Sequence, residues 1–372
     1  MEHMKFGWVA TIAAAAGLLS ACGGGGNDNG MSTGTGMSYA ATSLVTDVAG
    51  AANPYSTSQA HVDAHLVNAW GVAFNPQGFV WVADAGTSTS TLYDGNGVPQ
   101  SLVVTIPPGT AGPASPTGIV FNGTRAFNVT QGGVTAPSVF IFVGEAGTVS
   151  GWAPSVNMNT AIKVVDGGAA GKIYKGAALV SNAGGTFLYA TDFHHAKVDV
   201  FDANFAPVTT AGGFADPNLP PGYAPFGIQA IGDLIYVTFA KQDADAHDDV
   251  GGAGLGAVDA FDTAGRLVRR VAAVGGPLNA PWGMALAPAD FGPFGNALLV
   301  GDFGDGRINA FDPATGKFLG VLTKPDGSAI AIDGLWGIAF GNGLNGQPAN
   351  TLFFAGGPAD ETHGVYGRID SQ

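Results

Sequence analysis

Four acidic residues, Asp84, Glu145, Asp192 and Asp302, each close a short apolar run, and His194 and His195 follow the third of them. Carboxylate oxygens are hard ligands that suit Ca2+. Several carboxylates brought together repel one another unless a cation or protons neutralise them. Histidine titrates near neutrality, which makes His194 and His195 the candidates for moving a proton. His61, Asp63 and His65, and His363 after Glu361-Thr362, could line the same place. The densest acidic stretch, Asp243-Ala244-Asp245-Ala246-His247-Asp248-Asp249, opens like a calcium loop but lacks the distal glutamate of an EF-hand. Each group also has a plainer reading. An acid that ends a strand can accept hydrogen bonds from the next turn, a histidine can pack on a turn, and the acidic stretch can be a mobile, solvated insertion.

The elements that would position these residues are visible as a repeat. Six openings pair a residue with glycine ahead of an apolar strand: Trp70-Gly71, Thr117-Gly118, Gly176-Ala177, Phe226-Gly227, Trp282-Gly283 and Trp336-Gly337. The glycines at 71, 118, 176, 227, 283 and 337 are separated by steps of 47, 58, 51, 56 and 54 residues. Several strands within a period near fifty residues indicate a β-propeller with one blade per repeat. Glycine supplies 60 of 372 residues while charged residues make 11%, which suits short strands joined by tight turns. Third strands tend to end in Phe-Asp turns, at 201–202, 261–262 and 311–312. The sixth repeat lacks a fourth strand, and an unmatched strand, Ala41 to Asp47, precedes the first repeat. The chain is therefore expected to be all-β, a six-bladed propeller whose ring is closed when the N-terminal strand completes the last blade.

Loops entering the first strands and leaving the second strands of a propeller share one face. Asp84, Glu145, Asp192 and Asp302 would meet there, with Phe239 and Gly356 at the two remaining positions. Trp70, Trp282 and Trp336 would reach the same channel mouth, as packing or as a ligand platform. Neither a Gly-x-Ser-x-Gly elbow nor a strand–GxGxxG–helix context occurs, so nucleophilic and dinucleotide chemistry have little support. A net charge of −14 with 14 scattered Lys and Arg residues argues against a nucleic-acid partner.

Residues 1–21 read as a lipoprotein signal peptide: Lys5, a short apolar stretch, then Leu19-Ser20-Ala21 before Cys22, the one cysteine of the chain. Residues 22–39 read as a flexible Gly/Ser/Asn-rich tether and 40–372 as the propeller. Lipid on Cys22 would anchor a monomeric domain outside the cytoplasm, at the bacterial cell envelope, periplasmic or on the cell surface. An ordinary secreted protein is the plainer alternative.

The stretches Leu66-Val67-Asn68-Ala69-Trp70-Gly71, Trp81-Val82-Ala83-Asp84, Leu219-Pro220-Pro221-Gly222-Tyr223, Leu278-Asn279-Ala280-Pro281-Trp282-Gly283 and Gly301-Asp302-Phe303-Gly304-Asp305-Gly306 carry a family likeness. The chain resembles an uncharacterised bacterial family of exported six-bladed propellers, related in shape to NHL-repeat proteins. That resemblance implies the fold and export but no activity. Two functions follow: a binding module for a small molecule or protein, or a Ca2+-dependent hydrolase, lactonase or lyase. The latter rests on resemblance to calcium-dependent propeller lactonases.

Overall fold

The computed structural model describes residues 37–50 and 53–372. The segment expected to be a signal peptide, Cys22 and most of the expected tether lie outside the described residues. Six antiparallel sheets follow one another as blades, with first strands at Ala69–Phe74, Pro116–Phe121, Tyr174–Asn182, Tyr223–Ile231, Pro281–Leu286 and Leu335–Phe340. Each first strand stands at the edge of its sheet and pairs on one side only. In blade 6, Tyr39–Thr46 pairs antiparallel with Val365–Ser371, so the N-terminal strand closes the ring as expected. A two-residue parallel strand, His61–Val62, adds a fifth member to that sheet. The long step of 58 residues between Gly118 and Gly176 contains a hairpin, Asn128–Gln131 with Val134–Pro137, inserted between the first two strands of blade 2. Among the described residues no helix is long and apolar enough to cross a membrane.

The core is divided as the blades are. Each gap between neighbouring blades holds its own apolar cluster, as where Trp81 of blade 1 stacks on Phe140 of blade 2 with centroids 4.3 Å apart. A further cluster sits on the axis and contains Trp70, Phe193, Phe226, Trp282 and Trp336. The Phe-Asp turns close through the aspartate: Asp202, Asp262 and Asp312 each accept from backbone N–H groups two to four residues on.

The repeat glycines have a steric cause. A Cβ at any of the six would come within 3.0 Å of backbone in the next blade. Gly71 faces Thr117, Gly118 faces Ala177, Gly176 faces Phe226, Gly227 faces Trp282, Gly283 faces Trp336, and Gly337 faces Trp70 to complete the circle. In every blade the pairing of first and second strands is also interrupted there. Such a bulge re-aims the side chain it carries. The residues before the six glycines, Trp70, Thr117, Lys175, Phe226, Trp282 and Trp336, are thereby set at the same level around the axis.

Candidate functional site

Aromatic members of that level plug the channel. Trp70 stacks on Trp336 with centroids 3.4 Å apart, Phe303 stacks on the same ring at 4.0 Å, and Trp282 meets Trp70 edge-on at 5.6 Å. All three tryptophans are buried, at 2%, 8% and 1% exposure, so they pack against one another rather than offer a platform at the mouth. Lys175 occupies the corresponding slot in blade 3. Its Nζ lies 5.3 Å from the Trp70 ring centroid and 5.8 Å from that of Phe193, within cation–π range.

The buried ammonium has two carboxylate partners. It donates to Glu145 of blade 2, and to Asp248 of the blade 4 insertion at 3.1 Å. Burial would lower the Lys175 pKa, but Glu145 and Asp248 outweigh it and hold the group above its ordinary value. Two further acids stand close by. Burial pushes Asp249 up to about 7, against the attraction of Lys175, and also raises Glu361, with Glu145 adding repulsion. The carboxylates that gather here are Glu145, Asp248, Asp249 and Glu361, of which only Glu145 belongs to the four expected to meet, and Lys175 offsets their repulsion. The acidic insertion is also more than a solvated loop: Gln242 donates to Phe193 O at 2.6 Å, and the Asn279 side chain accepts from Gly252 N at 2.6 Å.

Asp84, Asp192 and Asp302 are fully buried, and each is held inside its own blade. Asp84 accepts from Thr89 and Thr91 at 3.3 and 3.2 Å, and Asp302 from Asn309 at 2.7 Å. Burial raises Asp84 well above the ordinary carboxylate range and pushes Asp302 up to about 8. Asp84 and Asp302 thus serve the plainer role of strand-end hydrogen bonding. Register explains why Glu145 differs. Ala69, Pro116, Tyr174 and Pro281 pair with Asp84, Gly144, Asp192 and Asp302, so Glu145 lies one residue beyond the shared position and reaches Lys175 instead.

Asp192 contacts His195, Oδ2 to Nδ1 at 2.9 Å, and this couples a buried carboxylate to a partly exposed imidazole. His194 packs edge-on against His195 with centroids 4.9 Å apart. His65 and His363 go elsewhere. His65 pairs with Asp63 at 2.9 Å, and His363 contacts Asp47 at 2.7 Å where the ring closes.

Beside the Lys175 cluster lies a pocket of about 430 Å3, lined by Ser115, Glu145, Lys172, His194, Asp245 and His247, among others. Lys172 is itself paired with Asp199 and reaches the Tyr174 hydroxyl at 3.2 Å. Glu145, His247 and Asp248 form a possible metal-holding group, their ligand atoms all within 4.8 Å of one another. Lys175 already binds two of those three. Sequence reading passed over this lysine, although its position was marked: it stands before a repeat glycine, where four other blades carry Trp or Phe.

No protein-family model matches the chain. It is similar to two uncharacterised proteins of Acanthamoeba polyphaga mimivirus. One is 34% identical over 83% of this chain and 76% of the relative, the other 34% over 75% of each. These relatives are viral, which overturns the expected membership of a bacterial family. Similar solved structures include a gluconolactonase from Xanthomonas campestris, with a TM-score of 0.51 and 15% identity over 83% of this chain and 87% of that one. A virginiamycin B lyase from Staphylococcus aureus, solved with quinupristin, gives 0.50 and 12% over 90% and 99%. A Bacteroides thetaiotaomicron protein of unknown function gives 0.52 and 11% over 90% and 76%. At such identities these likenesses show the propeller fold alone.

Proposed function

The chain belongs to the family of these uncharacterised mimivirus proteins, and we propose that it is a binding propeller for a small polar molecule. The supporting observation is the pocket of about 430 Å3 beside the Lys175 cluster. Its volume falls within the range of small-ligand sites, about 300–1,000 Å3. Glu145, Asp245, His194 and His247 offer acceptors and switchable donors, which favours a ligand rich in hydroxyl or amino groups. Lys175 acts as the site's own cation, holding Glu145 and Asp248 in place without an added ion. Lipid on Cys22 remains part of the proposal, tethering a monomeric propeller at a membrane outside the cytoplasm. Detergent phase partitioning of the full chain against Cys22→Ser checks the anchor.

The metal group supports a second reading, in which a divalent ion that accepts an imidazole ligand, such as Zn2+, at Glu145, His247 and Asp248 would assist lactone or ester hydrolysis, with His195 oriented by Asp192 to take a proton. Such an ion would have to displace the Lys175 ammonium. Ligand-observed NMR with neutral sugars, amino sugars and hydroxy acids tests the first reading. Binding lost in Glu145→Gln and His194→Ala supports it, and binding indifferent to both variants refutes it. Turnover of glucono-1,5-lactone that requires a divalent metal ion and fails in His247→Ala would establish the second reading instead.

A further inference from the structure

We propose that the central channel is a second ligand site, opening on the face opposite the Lys175 pocket and selective for an uncharged molecule. The first strands begin at the aromatic plug and end at the other face, where Phe74, Phe121, Leu286 and Phe340 border a cavity of about 460 Å3. All six first strands contribute to the wall. Inward the channel narrows to a neck of about 40 Å3, lined by repeat glycines and Trp282. Beyond the neck the stacked tryptophans block it, so the site is blind-ended.

Two features define the ligand. The wall contains no charged side chain, and Gln229 supplies its one polar side chain. A charged group entering would lose its hydration with no counter-charge to meet it. The wall is nevertheless not purely apolar. Each first strand is a sheet edge, leaving backbone N–H and C=O groups free of a strand partner. The occupant is therefore a neutral molecule with an apolar body and amide or hydroxyl groups that meet the strand edges and Gln229.

The test uses N-phenyl-1-naphthylamine, an uncharged aromatic amine that fluoresces in apolar surroundings, titrated into the full chain. Saturable one-to-one binding is expected. Gln229 is exposed, so Gln229→Trp should fill the mouth while leaving the melting temperature close to the parent's, and should weaken binding at least about tenfold. Glu145→Gln, in the opposite pocket, should bind the probe as the parent does, which separates this site from the polar one. The sulfonated analogue 1-anilinonaphthalene-8-sulfonate should bind at least about tenfold more weakly. Absence of saturable binding, undiminished binding by folded Gln229→Trp, or equal affinity for the sulfonate would each overturn the proposal.

Discussion

Replacing Lys175 by methionine tests the charge cluster at its centre. Methionine keeps a long apolar stem against Trp70 and Phe193 and removes only the ammonium. Breaking a fully buried ion pair costs about 3–5 kcal/mol. Here the lysine side chain is 1% exposed, but Glu145 is 21% and Asp248 61% exposed, so water recovers much of the loss at Asp248. A destabilisation of about 1–3 kcal/mol at pH 7 remains, carried mainly by Glu145. The pH dependence distinguishes charge from packing. The folded-state pKa of Lys175 is raised, so its contribution is complete below its ordinary 10.5 and is lost as pH rises through the folded value. Asp248 starts from 3.8 and is lowered in the fold, against burial, chiefly by Lys175. Its contribution is present above 3.8 and is lost as pH falls through the folded value. The parent and variant midpoints in urea should therefore differ throughout the neutral range, and the gap should narrow as pH falls below 3.8. An equal gap at pH 7 and pH 3 would mean that the lysine acts through packing, and the charge argument would fail.

Three more outcomes follow from the same geometry. Gly227→Ala would drive a Cβ into the carbonyl of Trp282 and should cost about 3 kcal/mol or more in urea unfolding, whereas Gly251→Ala, with ordinary contact distances of 3.6 Å, should cost under about 1 kcal/mol. Asp302 has its pKa raised from 3.8 to about 8, so its ionisation opposes folding increasingly between those values. Asp302→Asn should therefore be stabilising by about 1–3 kcal/mol at pH 8, with the advantage shrinking toward pH 4, as thermal melts at the two pH values would show. Lys175→Ala leaves Glu145 and Asp248, beside His247, without their ammonium, and calorimetry should detect divalent-ion binding that the parent lacks.

The ring was legible because its strongest constraint falls on a single residue type. Gly71, Gly118, Gly176, Gly227, Gly283 and Gly337 have no room for a Cβ against the next blade, and that demand recurs with the period of the fold. Closure was legible from a missing strand in the last repeat and a spare one at the start. The site was less so, because its contacts join residues far apart in sequence. Lys175 meets Glu145 across 30 residues and Asp248 across 73. Equivalent positions misled the reading of the acids. Asp84 and Asp302 turn to third-strand residues Thr91 and Asn309, and Glu145, offset by one, escapes the set. Lys175 carried the remaining signal, a charge placed where the pattern called for an aromatic ring.

The most direct test of Lys175 as the site's own cation is the divalent-metal content of the full-length protein after dialysis against calcium or zinc, with its melting temperature taken with and without a chelator. For that role, less than stoichiometric metal and an unchanged melting temperature are expected. One tightly held ion per chain, whose removal lowers the melting temperature and which is lost in His247→Ala, would contradict it.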